Sequence, residues 1–185
     1  MTLHPALLPG MSRIHGAGVI AVRDIPLGTA VWAPCPRCRV LSPAEQATLP
    51  GSVLAWAAEY GYRRADRGHI IPCHGAHLFN HSCEPSVLDL GLSAGIAVTD
   101  IRRGDEVCCD YRTFRYDDPW SFDCRCGSSG CLGTVRSSEL CLAAGLASEW
   151  RSRISAALEA AALVQQVIPV MAGDINGRDP LKERR

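Results

Sequence analysis

The chain has 185 residues, 47% of them hydrophobic, and a formal net charge of zero. That length suits one domain with an appendage and a core of its own, and the neutral balance gives no bulk attraction to nucleic acid. No apolar run approaches the ~20 residues of a membrane span and no charged-then-apolar leader opens the chain, so a cytoplasmic protein binding neither membrane nor nucleic acid is expected.

Residues 1–11 read as a proline-containing arm of little information. From Ser12 the chain passes through Gly16-Ala17-Gly18, a turn whose glycines let backbone approach a ligand closely, into an apolar strand at 19–22. Taken alone that is an ordinary glycine turn. Residues 24–28 turn into a second strand at 29–33. Cys35-Pro36-Arg37-Cys38 has a spacing found in zinc and redox sites, but no second pair follows and Cys73 stands alone, so loop thiols are expected. Ser42-Pro43-Ala44-Glu45 opens a helix with a capping box and a proline in its first turn. Pro50-Gly51 divides it from a second helix whose apolar face includes Val53, Leu54, Trp56, Ala57 and Tyr60. His69, His74 and His77 lack a carboxylate partner and helical spacing, and are expected to be solvated or hydrogen-bonded.

Asn80-His81-Ser82-Cys83-Glu84-Pro85 has two residues that favour local side-chain to backbone bonds and a proline that bars a helix, so a tight loop is expected. Val87, Leu88, Leu90 and Leu92 then alternate, and after a turn Ile96-Ala97-Val98 returns as a hairpin. A turn at 101–105 leads into a strand at 106–111, with Val107, Cys109 and Tyr111 on one face and Cys108 and Asp110 on the other. Phe114, Tyr116, Trp120 and Phe122 connect this strand to Cys124-Arg125-Cys126 and Cys131, as pocket walls or as glue.

Ten cysteines would suit a secreted disulfide scaffold, but a chain of this length folds without staples and the Cys-x-Cys-x4-Cys cluster reads as metal binding in a reducing cell. Three clustered thiolates need a fourth for a closed tetrahedral zinc site, and Cys83 is the candidate. Beyond Gly133 the chain turns Ala-rich. A short helix is expected at 137–144 and a longer one, capped by Ser148, ends before Pro169 with Trp150, Ile154, Leu158, Ala161 and Ile168 near one face. This tail should pack on the domain or on a second copy, as a homodimer. Residues 171–185 read as a frayed, disordered end. Lys182 is the only lysine among 19 basic residues, which reads as codon bias from a GC-rich genome.

Gly16-Ala17-Gly18, then Asn80-His81-Ser82-Cys83-Glu84-Pro85, then Gly104-Asp105-Glu106-Val107-Cys108-Cys109-Asp110-Tyr111, then the segment from Cys124 to Gly133 resemble, in order, the motifs of the SET-domain lysine methyltransferases. The resemblance implies a mainly β, α+β fold of the SET type, with small sheets, a knot-like core loop and a zinc lobe. It divides the chain into a SET domain at 12–121, carrying a variable helical insert at 42–67, a post-SET segment at 122–134 and a helical tail at 135–170 outside the resemblance. It implies S-adenosylmethionine as cofactor, Zn2+ on Cys83, Cys124, Cys126 and Cys131, and a protein substrate presenting a lysine. Tyr111 takes the catalytic tyrosine's place. Gly16, Ala17, Gly18, Asn80, His81 and Leu132 are the implied cofactor contacts, and Cys109, Tyr60, Tyr62 and Tyr116 the implied substrate pocket.

The chain departs from the family pattern at Ser86, where Asn is usual, at Gly75-Ala76-His77, and at Cys109, where Phe or Tyr is usual. A small Cys109 implies a roomy amine pocket and a di- or trimethylated product. The runners-up are a SET-derived enzyme acting on a small molecule and a non-catalytic zinc-stabilised binding module. Methyl label on protein, on small molecules alone, or on neither would separate the three.

Overall fold

An eight-stranded sheet organises the molecule, in the order β1 (Thr2–Leu3), β4 (Ala30–Ala33), β10 (Gly95–Ala97), β9 (Val87–Leu88), β11 (Glu106–Cys109), β3 (Ala17–Ala21) and β2 (Leu7–Met11), with β8 (Asn80–His81) also pairing β11. The computed structural model describes residues 2–33, 35, 38–63, 68–72, 75–89, 94–113, 119–137 and 144–168. Among these the chain is mostly short strands with three helices, the fold expected from the motifs.

Residues 2–11 are more than an arm. β1 pairs β4, and β2 pairs β3 over five residues from Leu7↔Ala21 to Met11↔Ala17, burying Ala6 and Leu7. Pro9 obscures this in the sequence, yet β2 is an edge strand, where a missing N–H is tolerated. Val19, Val31, Val87, Ala97 and Val107 form the main core cluster together with Phe79 and Trp32.

A second sheet, β5 (Arg39–Leu41), β7 (His69–Ile71) and β6 (Tyr62–Arg63), carries the helical insert. Its first helix, α1 (Pro43–Gln46), has the expected capping box: Glu45 N donates to Ser42 Oγ at 3.2 Å and Ser42 N to Glu45 Oε2 at 2.9 Å. Pro50 occupies the N-cap position of α2 (Gly51–Tyr60) without a capping bond, so two helices form as read. A third sheet pairs β12 (Ser121–Asp123) with β13 (Thr134–Arg136) and holds the cysteine loop between them.

The tail folds onto its own domain. Helix α3 (Ala144–Ala161) contains Ser148 rather than being capped by it, and Ala147 ahead of it packs on the cluster formed by Leu88, Ile96 and Val98 with Trp150, Ile154 and Ala157. It stops at Ala161, whose carbonyl accepts from Gln166 Nε2 at 3.3 Å. This face of the helix is thereby covered, while Leu163 and Val167 beyond it stay exposed. Gly28 (φ 86) allows this docking, since a Cβ there would meet the α3 backbone at Ala157 and Ala161. Gln166 Nε2 also donates to Gly28 O at 2.9 Å, and Ile168 seals Ala30 and Ala33. The short helix read at 137–144 falls mostly, and the frayed end at 171–185 wholly, outside the described residues. No helix among the described residues is long and apolar enough to cross a membrane.

Candidate functional site

The loop from Ser82 to Ser86 joins β8 and β9, and both pair in parallel with β11. Ser82 N donates to Cys109 O at 3.0 Å and Ser86 N to Cys108 O at 3.1 Å. Cys108 N returns a bond to Ser86 Oγ at 3.2 Å, so the serine at this position still serves as an acceptor. The first motif is thus stitched to the strand that ends just before Tyr111.

Tyr111 starts a 3-10 turn, Tyr111–Thr113, rather than ending the strand. Its N–H donates to His81 Nδ1 at 3.2 Å and its hydroxyl to Phe79 O at 2.8 Å. The rings of His81, Tyr111 and Phe122 lie 5.3–5.9 Å apart by centroid and enclose one another. Burial pushes His81 down to about 4 against the opposing pull of Asp110, while Arg112 adds to the depression. A neutral imidazole that accepts at Nδ1 carries its proton on Nε2, which lies 3.6 Å from Cys83 Sγ.

Beside Tyr111 a cavity of about 550 Å³ opens between the first loop and the aromatic connector. Ile14 and His15 line one wall, Asn80 and His81 another, and Trp120 with Phe122 a third. The last two rings stack at 5.8 Å with planes 23° apart. Asn80 Nδ2 lies 3.0 Å from Ser12 Oγ and Ala17 O, 3.1 Å from His15 O and 2.9 Å from Glu106 Oε1. Glu106 also accepts from Ser12 Oγ at 2.7 Å and from Arg13 N at 3.0 Å. One amide and one carboxylate therefore shape the glycine turn. Nothing in the sequence marked Ser12 or Glu106, 94 positions apart; their pairing is a product of the β3–β11 register.

Several expected residues fall elsewhere. Gly16 adopts φ 54 with open space around it, but Gly18 makes room for the Glu106 side chain. Leu132 is exposed and does not line the cavity. Tyr60 is half exposed, packed on Trp56 at 5.8 Å and His77 at 6.0 Å; its neighbour Glu59 reaches the cavity instead. Cys109 is buried in the core with its sulfur 3.9 Å from Asn80 O, and burial pushes its thiol up. It does not border the cavity, although it shares a core cluster with Val107 and Tyr111, the face that strand alternation gave it. Tyr116 and the Tyr62 side chain lie outside the described residues.

Cys83, Cys124, Cys126 and Cys131 bring their sulfurs within 4.8 Å of one another. Sulfurs about 2.3 Å from a tetrahedral zinc stand about 3.8 Å apart, and the Cys83 and Cys124 sulfurs are 3.9 Å apart. Burial pushes Cys83 up to about 11, with the backbone N–H of Leu132 opposing. At Cys126 burial raises the thiol, but hydrogen bonds from Ser128 and the Cys83 backbone outweigh it, so the thiol is lowered. Glu84 Oε1 accepts from Ser129 Oγ at 3.0 Å and Gly130 N at 2.9 Å, tying this loop to the first motif. Cys35 and Cys38 have sulfurs 3.6 Å apart at a separate location, and Cys73 and His74 lie outside the described residues. His69 Nδ1 is 3.1 Å from Gln46 Oε1, hydrogen-bonded as expected.

The chain is 35% identical over 71 residues to the histone-lysine N-methyltransferase ATX2 of Arabidopsis thaliana, a match covering 35% of this chain and 6% of that protein. The chain thus spans a small fraction of that relative's length. A solved chain from Plasmodium falciparum, described as a histone methyltransferase, matches with TM-score 0.42 and 19% identity, covering 59% of this chain and 95% of its own. The sequence model of the SET domain matches residues 16–112, more than half of the chain, and the chain belongs to the SET domain family.

Proposed function

We propose that this protein is an S-adenosylmethionine-dependent protein-lysine N-methyltransferase. The observation that carries the reading is Tyr111, held by His81 and Phe79 on the wall of the cavity shaped by Asn80, Trp120 and Phe122. The cavity suits such a cofactor: its volume falls in the range of ligand pockets, and two stacked rings offer a flat face to a base. The cofactor, when bound, supplies an electrophilic methyl group to an amine. The name of the Arabidopsis relative supports a protein lysine as that amine.

This chain's own residues would act by position and desolvation. His81, neutral and buried, fixes the Tyr111 backbone. The Phe79 carbonyl orients the Tyr111 hydroxyl, so a preorganised dipole stands at the reacting centre. The rings of Tyr111, Phe122 and Trp120 keep water out, which lowers the pKa of a lysine ammonium and favours the nucleophilic amine. Asn80 and Glu106 hold the 12–17 loop to grip the cofactor's amino-acid end. The four thiols of Cys83, Cys124, Cys126 and Cys131 fit zinc by number and spacing; the ion would clamp the β12–β13 lobe to the Cys83 loop.

Calorimetry with S-adenosylmethionine tests the binding half, with one site per chain expected. Lack of saturable binding would remove the enzyme reading and leave a zinc-stabilised binding module.

A further inference from the structure

We propose that Trp150, on helix α3 and beyond the 16–112 SET match, is a positioning residue for Tyr111 that acts through the buried carboxylate of Asp110. The inference rests on the methyl-transfer reading above and adds a required element to it from outside the matched domain.

Asp110 is fully buried, and Arg112 and Trp150 are each 2% exposed. Asp110 Oδ1 accepts from Arg112 Nε at 2.8 Å and Arg112 N at 3.0 Å. Its Oδ2 accepts from Arg112 Nη2 at 2.8 Å, from Arg112 Nε at 3.0 Å and from Trp150 Nε1 at 2.7 Å. Asp110 and Arg112 flank Tyr111 in the same turn, which Thr113 N closes on Asp110 O at 3.0 Å. The fork within the turn fixes the carboxylate relative to Arg112. It does not fix the turn relative to the body of the protein. Among the described residues, the indole N–H is the donor that reaches Asp110 from another element, and it does so at charge-assisted length.

The helix that carries it is anchored independently. Arg153, one turn on, donates from Nη2 to Pro85 O at 2.8 Å and lies 5.1 Å over the Trp150 ring. Gly28 receives the other end of the helix. The helix therefore holds both the first-motif loop, at Pro85, and the turn of Tyr111, at Asp110. From Asp110 the constraint passes along the backbone to Tyr111, whose N–H donates to His81 Nδ1 at 3.2 Å. Without the indole N–H a buried carboxylate oxygen loses one partner and the turn shifts to recover it. Displacing a reacting group by about 1 Å can cost on the order of 100-fold in rate.

The test is Trp150→Phe in the full chain, compared with Ile154→Val, which alters the same buried face but no polar contact. Expected for Trp150→Phe is a kcat for methyl transfer lowered about tenfold or more, with KM and calorimetric Kd for S-adenosylmethionine within about twofold of wild type. Ile154→Val should keep the wild-type kcat while its unfolding midpoint falls. Wild-type kcat in Trp150→Phe, or an equal loss of kcat in Ile154→Val, overturns the inference. Should Trp150→Phe fail to fold, benzothienylalanine at position 150 keeps the shape and removes only the N–H, with the same two outcomes. A wild-type protein that transfers no methyl group overturns the proposed function instead. In that case the Tyr111 amide is read by NMR: a shifted, faster-exchanging signal in Trp150→Phe alone supports the positioning role, and an unchanged one overturns it.

Discussion

Tyr111 is held at its backbone by His81 and at its hydroxyl by Phe79, two residues of the segment that β11 pairs or borders. Removing the hydroxyl in Tyr111→Phe leaves the ring packing intact, so cofactor affinity by calorimetry should change little while methyl transfer falls ~100-fold or more. Wild-type turnover would take Tyr111 out of the mechanism. A second residue, the partly buried Asp89, should make stability depend on pH. Burial pushes Asp89 up to about 6, the Thr113 hydroxyl opposing and the Asp110 charge adding to the rise. A carboxyl raised in the fold contributes stability that is complete below its ordinary value and is lost as pH climbs through 6. Asp89→Asn should therefore gain on wild type in denaturant midpoint between pH 5 and pH 7. A constant difference over that range would show that Asp89 ionises freely in the fold.

At the scale of elements, the lobe of β12 and β13 has a small core of Val135, Trp120 and Phe122 beside four thiols, so the lobe should depend on metal while the main sheet does not. Structural zinc contributes roughly 10 kcal/mol or more in small zinc-dependent folds. Metal analysis should find zinc at the four thiols and its loss in Cys126→Ser, with chelator removing near-UV signal from Trp120 but leaving the main sheet intact. Zinc that stays stoichiometric in a Cys83→Ser, Cys126→Ser double variant would move the site to Cys35 and Cys38. The same scale shows what the sequence made legible. Local chemistry was readable: the capping box at Ser42, the break at Pro50, the tight loop at 82–86 and the cysteine spacing each announce themselves within a few residues. Register was not. Pro9 disguised an edge strand, and the Glu106–Ser12–Asn80 knot of hydrogen bonds exists only once distant strands meet. Ser148, a good local cap, sits inside α3, where Ala147 ahead of it already packs on the core.

For the molecule as a whole, α3 completes the domain. It buries Trp150, Ile154 and Ala157 against Leu88, Ile96 and Val98. Each large apolar side chain so buried contributes about 1.5–3 kcal/mol, against a total stability of about 5–15 kcal/mol for a domain. A chain ending before Ala144 should lose cooperative unfolding by circular dichroism; a midpoint within a few degrees of the full chain would make the helix an ornament. On the proposed function, the cavity beside Tyr111 delivers a methyl group to a protein lysine. Incubating the protein with labelled S-adenosylmethionine and a cell lysate, then separating protein from small molecules, tests it most directly. The predicted result is label in the protein fraction, recovered as methyl-lysine after hydrolysis and lost with Tyr111→Phe. Label confined to small molecules, or no label at all, would contradict it.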